Sequence, residues 1–127
     1  MSDSQQHFDL EFLETFTEPL LAMKAEEILA MDLRGIAEFA DYFVVCTGTS
    51  DIQVRAIADE VVEHGKANGQ RPHSVEGYDQ RKWILIDFVD VVVHIMQPDE
   101  RKFYGLERLW GDAPIHEVRD TTIQEAS

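Results

Sequence analysis

The 127-residue chain holds a single cysteine, which excludes an intramolecular disulfide. It is poor in positive charge: 11 basic residues against 25 acidic ones leave −14 at pH 7. A field of that sign repels nucleic acid and anionic membranes at long range. Screening over ~8 Å at physiological salt leaves room for a local basic patch. No apolar run reaches the ~18 residues of a membrane span. The N-terminus lacks the basic region and apolar core of a secretory signal, and Asp3, Asp9, Glu11 and Glu14 set it apart from acid-poor transit peptides. A soluble protein of a reducing cytoplasm is the expectation. The acidity itself has two readings, complementarity to a basic protein surface or solubility alone.

Catalytic patterns are missing as well. His7, His64, His73, His94 and His116 never fall at ligand spacing with one another or with Cys46, and neither H-E-x-x-H nor C-x-x-C occurs. There is no G-x-S-x-G, and Cys46 sits inside an apolar run with no His or Lys neighbour to activate it. The full phosphate-loop pattern is absent, since no Lys follows Gly48-Thr49-Ser50. Nucleotidyl transfer needs two carboxylates at alternate strand positions and a third nearby to hold two metal ions. Asp32, Asp41, Asp87 and Asp90 are single acids in separate segments, so that set is incomplete.

What is present is one well-patterned domain. Apolar residues make up 44% of the chain, enough for one core. Residues 1–7 are polar and expected to be disordered. Phe8, Phe12, Leu13, Phe16, Leu20 and Met23 recur at helical spacing, with Pro19 expected to open a second helix. Residues 28–33 suit either a helix by propensity or a short buried strand. Tyr42 to Cys46 is β-branched and aromatic, as a packed strand should be. Ser50, with Gln53 three residues on, forms a capping box for a helix whose Val54, Ile57, Ala58, Val61 and Val62 fill one face. Arg71 to Gly77 reads as a return strand placed near a sheet edge by Pro72. Residues 83–88 and 91–96 are two strands whose two-residue link dictates an antiparallel hairpin. Pro98 opens a final helix with Phe103, Leu106 and Leu109 or Trp110 as its apolar side. Residues 111–127 are expected to be a mobile acidic tail. The order of elements gives the α/β class, a mixed β-sheet flanked by helices.

Two candidate surfaces follow. Gly48-Thr49-Ser50 could hold a phosphate at a helix N-terminus or serve only as a βα turn with its cap. Tyr78, Arg81, Lys82 and Trp83 form a polar-aromatic cluster of the kind that anchors interfaces, although Trp83 packing in the core is an equal reading. An exposed edge near Pro72 leaves room for a homodimer of the free chain.

Asp41-Tyr42-Phe43-Val44-Val45-Cys46-Thr47-Gly48-Thr49-Ser50 resembles the D-x-x-V-I-x-T-G-x-S signature of the ribosomal silencing factor family, also called Iojap-like. The resemblance continues through Val75-Glu76-Gly77, residues 83–87 and 90–96, and Arg101-x-Phe103-Tyr104-x-Leu106-Glu107-x-Leu109-Trp110, so it spans about Leu20 to Trp110 within an expected domain of residues 8–110. It implies a nucleotidyltransferase-like fold lacking the catalytic carboxylates, and a strand at 28–33. It implies a non-enzymatic translational repressor with no cofactor and no membrane. That repressor would bind the large ribosomal subunit through its fourteenth ribosomal protein, with little direct nucleic-acid contact. It would block joining of the small subunit when nutrients are short, while organellar relatives act in large-subunit assembly. The positions that match the family's contact surface are Glu76, Trp83, Asp87, Asp90, Met96 and Tyr104. Gly105 departs from the charged or polar residue often found there.

Overall fold

The computed structural model describes residues 8–119. In chain order the elements are α1 (Leu10–Ala22), β1 (Glu26–Asp32), β2 (Tyr42–Thr47), α2 (Asp51–Ala67), β3 (Ser74–Glu76), β4 (Trp83–Asp87), β5 (Val91–Met96), α3 (Pro98–Tyr104), α4 (Leu106–Leu109) and β6 (Ile115–Glu117). The strands form one sheet in the order β3-β4-β5-β2-β1-β6. β2 pairs with β5 in parallel, and every other neighbouring pair is antiparallel. The α/β class, the mixed sheet, the 83–96 hairpin and the strand at 28–33 are therefore as expected.

The centre of the sheet is dry on both sides. Every residue of β2 and β5 is buried, as their near-continuous apolar runs require. On one face α1 and α2 lie over Tyr42, Val44, Cys46, Val91, Val93 and Ile95, with Phe16 edge-on to Phe88 at 4.9 Å. On the other face Phe43, Val45, Val92 and Met96 pack against Met31, Leu33, Ala40, Leu106 and Ala113. Among the described residues, no long helix covers that second face. Its cover comes from the loop after β1 and the short elements after β5.

Three expectations need correction. Pro19 does not open a second helix; it lies buried inside α1. Ring closure removes its bond to the Thr15 carbonyl, yet the turn continues because Met23 N–H donates to Pro19 O at 3.1 Å. The last helix is two helices. Gly105, at φ +52°, ends α3 and precedes α4, a left-handed cap that suits glycine. The redirected chain buries Leu106 but leaves Phe103 75% and Leu109 68% exposed. Finally, the tail does not begin at residue 111. Ile115, His116 and Glu117 pair with Met31, Ala30 and Leu29, so β6 completes the sheet beyond β1. The expectations for residues 1–7 and for the tail from residue 120 lie outside the described residues.

The β4–β5 connection is tight. Phe88 N–H donates to Val91 O at 2.8 Å, and Asp90 N–H donates back to Phe88 O at 3.0 Å across Val89. Val89 takes φ +79° and stands exposed. A β-branched residue is strained there. Val89→Gly is expected to stabilise the fold by about 1 kcal/mol, the relieved strain exceeding the entropic cost of glycine. Urea denaturation reads this directly; an unchanged or lower midpoint would show a relaxed turn.

Candidate interaction face

The Gly-Thr-Ser turn is explained by packing and capping. A Cβ at Gly48 would lie 2.8 Å from Val54 Cγ2, so glycine lets α2 approach the end of β2. Ser50 Oγ accepts from Gln53 N at 3.1 Å, a cap worth about 1 kcal/mol. Gln53 Oε1 accepts from Thr49 N at 2.7 Å and from Thr49 Oγ1 at 2.9 Å, while its Nε2 donates to Lys24 O at 3.2 Å. Gly48 N–H donates to Met96 O. The Gly48 and Thr49 amides and the Thr49 hydroxyl are thus engaged inside the fold, and the turn ties α2 to the end of α1.

Behind this turn, Arg101 is buried. Its Nη1 donates to Thr47 Oγ1 at 2.9 Å, and its Nε and Nη2 donate to Glu107 Oε2 at 3.1 and 3.0 Å. One side chain therefore joins α3, α4 and the end of β2. A groove of about 580 Å³ beside it is lined by Lys24, Glu27, Arg101, Glu107, Glu117 and Arg119 among others. Both of its arginines are already ion-paired, Arg101 with Glu107 and Arg119 with Glu117, which leaves little to hold an anion. Cys46 is fully buried, and loss of hydration pushes its thiol up to about 12, which suits packing rather than reactivity. Among the described residues, no group of three or more His, Cys, Asp and Glu is placed to hold a metal ion.

The second sheet face is different. There the cover stops short of β4, and Trp83, Leu85 and Asp87 remain half-buried. Phe103 and Tyr104 touch at 4.9 Å and Tyr104 and Trp83 at 4.8 Å. Trp83 then meets His94 at 5.9 Å, and His94 meets Phe43 at 4.4 Å. Phe43 and Phe39 both meet Trp110, at 6.2 and 5.8 Å. Rings in contact thus run from α3 across the sheet to the loop after β1. Tyr104 is 50% and Phe39 59% exposed. Acids border the run. Glu76 lies opposite Leu85 on the edge strand β3, and Asp87 lies opposite Val92. A concavity of about 680 Å³ between Asp99, Glu100, Lys102, Phe103 and Tyr104 adjoins it.

The six matching positions divide clearly. Glu76, Trp83 and Asp87 share this face, and Tyr104 leans on Trp83. Asp90 is exposed at the tip of the β4–β5 turn. Met96 has no exposed surface and packs with Phe43 and Val45, so it supports the face from beneath. The proposed cluster 78–83 is split: Tyr78 donates to Asp59 at 2.8 Å and accepts from Arg55 at 2.7 Å on α2, away from Trp83. Gly77 makes the return possible, since a Cβ there would stand 2.1 Å from the Trp83 carbonyl oxygen. Phe39 escaped sequence reasoning. Its one signal is an aromatic residue within a loop that carries no periodicity.

Taken together, these features define a small α/β domain whose distinguishing surface is an acid-bordered aromatic sheet face. A family model described as ribosomal silencing factor during starvation matches residues 6–127. Over 95 residues the chain is 50% identical to the ribosomal silencing factor RsfS of Bacillus subtilis, covering 75% of this chain and 80% of that one. It is 31% identical over 106 residues to the mouse protein named mitochondrial assembly of ribosomal large subunit protein 1, covering 81% of this chain and 45% of that one. A crystal structure of a Chromobacterium violaceum protein matches with a TM-score of 0.78 at 34% identity, over 80% of this chain and 85% of that one. The chain belongs to the ribosomal silencing factor family.

His94 lies at the centre of the face, and burial lowers its pKa from 6.5 to about 3. Between those values the unfolded chain takes up a proton that the folded chain refuses, so folding weakens as pH falls, by up to ~1.4 kcal/mol per pH unit. His94→Phe removes this dependence. The stability difference between wild type and variant is expected to shift steadily in favour of the variant from pH 6.5 downward, read by denaturation at each pH. A constant difference would mean that His94 is charged in the fold.

Proposed function

We propose that this chain is a non-enzymatic translational repressor of the cytoplasm. It docks on the large ribosomal subunit through the fourteenth ribosomal protein and stands where the small subunit must join, slowing translation under nutrient limitation. The observation that carries this reading is the aromatic run from Tyr104 to Phe39 on a sheet face that no long helix covers among the described residues. Aromatic residues are the usual anchors of a protein interface. Steric exclusion requires a contact of about 800 Å² per partner and no chemistry. The acids beside the rings, and −14 overall, favour a basic protein surface and disfavour direct RNA contact.

In this reading the fold is nucleotidyltransferase-like but runs no transfer reaction. Its strand acids are committed elsewhere. Asp32 receives Arg34 through two bonds of 3.0 and 2.9 Å, and Asp87 Oδ1 accepts from Val89 N at 2.7 Å. A second reading, assembly of the large subunit, is favoured by the name of the mouse relative. It would use the same face on an immature particle, and precursor particles accumulating in a deletion strain would mark it.

The direct test is subunit joining with purified chain in excess over large subunits. Joining should fall while large subunits retain the chain on sedimentation, and retention should weaken as salt rises. Undiminished joining at saturation would defeat the repressor reading. Tyr104→Ala should weaken retention at least tenfold, about 1.4 kcal/mol. Its melting temperature should stay near wild type because half of the side chain is already exposed.

A further inference from the structure

His94 is an unusual choice for its position. It sits in the middle of β5, in register with Val45 on one side and Leu85 on the other, within a layer formed by Met31, Phe43, Val45, Val92 and Met96. An apolar residue would fill this space without desolvating an imidazole. Moreover, the histidine is only half satisfied. Its Nδ1 accepts the indole Nε1–H of Trp83 at 3.1 Å. A neutral imidazole that accepts at Nδ1 carries its hydrogen on Nε2, and Nε2 is buried with no hydrogen-bond partner among the described residues. The site therefore bears the cost of a buried donor. In return it gains the one thing that no apolar side chain supplies, an acceptor for the indole.

Trp83 is where that acceptor matters. It is half-buried, stands diagonally across from His94 on the neighbouring strand, and carries Tyr104 against its ring. Two contacts of different kinds hold the indole, the hydrogen bond to His94 and the tilted ring of Tyr104. An aromatic anchor held in its bound orientation loses less conformational freedom on docking. We propose that His94 is a positioning residue for docking, holding the Trp83 indole through the Nε1–Nδ1 bond so that the aromatic face is preformed before the partner arrives. This rests on the reading that the face docks on the large subunit.

The free full-length chain supplies the first test. Nitrogen-15 NMR should show His94 as the Nε2–H tautomer, with the Trp83 indole N–H shifted downfield and protected from exchange. Trp83→Phe assigns that resonance against Trp110. The opposite tautomer, or an indole exchanging as fast as an exposed one, overturns the proposal without any binding measurement. The second test compares His94→Phe, which keeps a ring but removes the acceptor, with His94→Asn, whose side-chain oxygen takes the place of Nδ1. His94→Phe should lose indole protection and bind separated large subunits at least fivefold more weakly. His94→Asn should keep the protection and bind within twofold of wild type. Equal weakening in both folded variants, or wild-type binding by His94→Phe, overturns the positioning role. If His94→Phe does not fold, His94→Asn decides alone: indole protection with weakened binding, or wild-type binding with protection lost, overturns it. Failure of the wild type itself to bind large subunits removes the docking reading and the role built on it, whereas the tautomer and indole results still report whether the bond exists.

Discussion

The parallel pairing of β2 with β5 is the constraint on which the rest of the molecule depends. Parallel neighbours cannot be joined by a hairpin, so the chain between them must leave the sheet and return. Here it does so through α2 and then through β3 and β4, which extend the sheet on the far side of β5. Both central strands are apolar along their length, so both faces need cover. α1 and α2 supply one layer in full. The other layer is assembled from Leu33, Ala40, Leu106 and Ala113 and leaves Trp83, Leu85 and Asp87 of β4 only half-buried. The exposed aromatic sector is what an incomplete second layer leaves, and its floor is rigid because the central strands beneath it are fully packed.

The same economy shapes the turn that resembles a phosphate cradle. Gln53 bridges Thr49 to the carbonyl of Lys24, and Gly48 is pressed against Val54. Arg101 then fastens Thr47 to Glu107 from the other side. The segment acts as a joint between four helices and the sheet. In this geometry the residues of the Gly48-Thr49-Ser50 turn serve architecture, while the aromatic run lies on the other face of the sheet.

Much of this was legible from the chain alone, and the exceptions have physical causes. β2, β5 and α2 were readable because a buried strand or an amphipathic helix writes its environment into every residue. Pro19 misled because a proline near a helix C-terminus forfeits only one bond, which packing of Phe16 and Leu20 outweighs. Gly105 fell inside the single helix expected after Pro98, whereas its left-handed backbone turns the chain there and Phe103 stays exposed. β6 carries no strand signal because a three-residue edge strand takes its register from β1, not from its own composition. In the face itself, Trp83 was legible as either an interface or a core residue, and Tyr104 came only with the family resemblance. Met96 was not separable from them, since strand alternation tells which residues share a face but not where the cover over that face ends. Phe39 required the fold to bring a loop over the sheet.

The single thiol has a practical consequence. Cys46 is sealed between β1, β5 and the helical layer, and burial holds it protonated far above physiological pH. Toward thiol-reactive probes the native chain therefore behaves as though it had no cysteine. One cysteine introduced on the exposed side of α2, at Glu60 or Glu63, would be the sole labelling site, and the native residue could stay in place. A fluorophore attached there sits across the sheet from the aromatic face, so a dye could report on this chain in real time while leaving that face free.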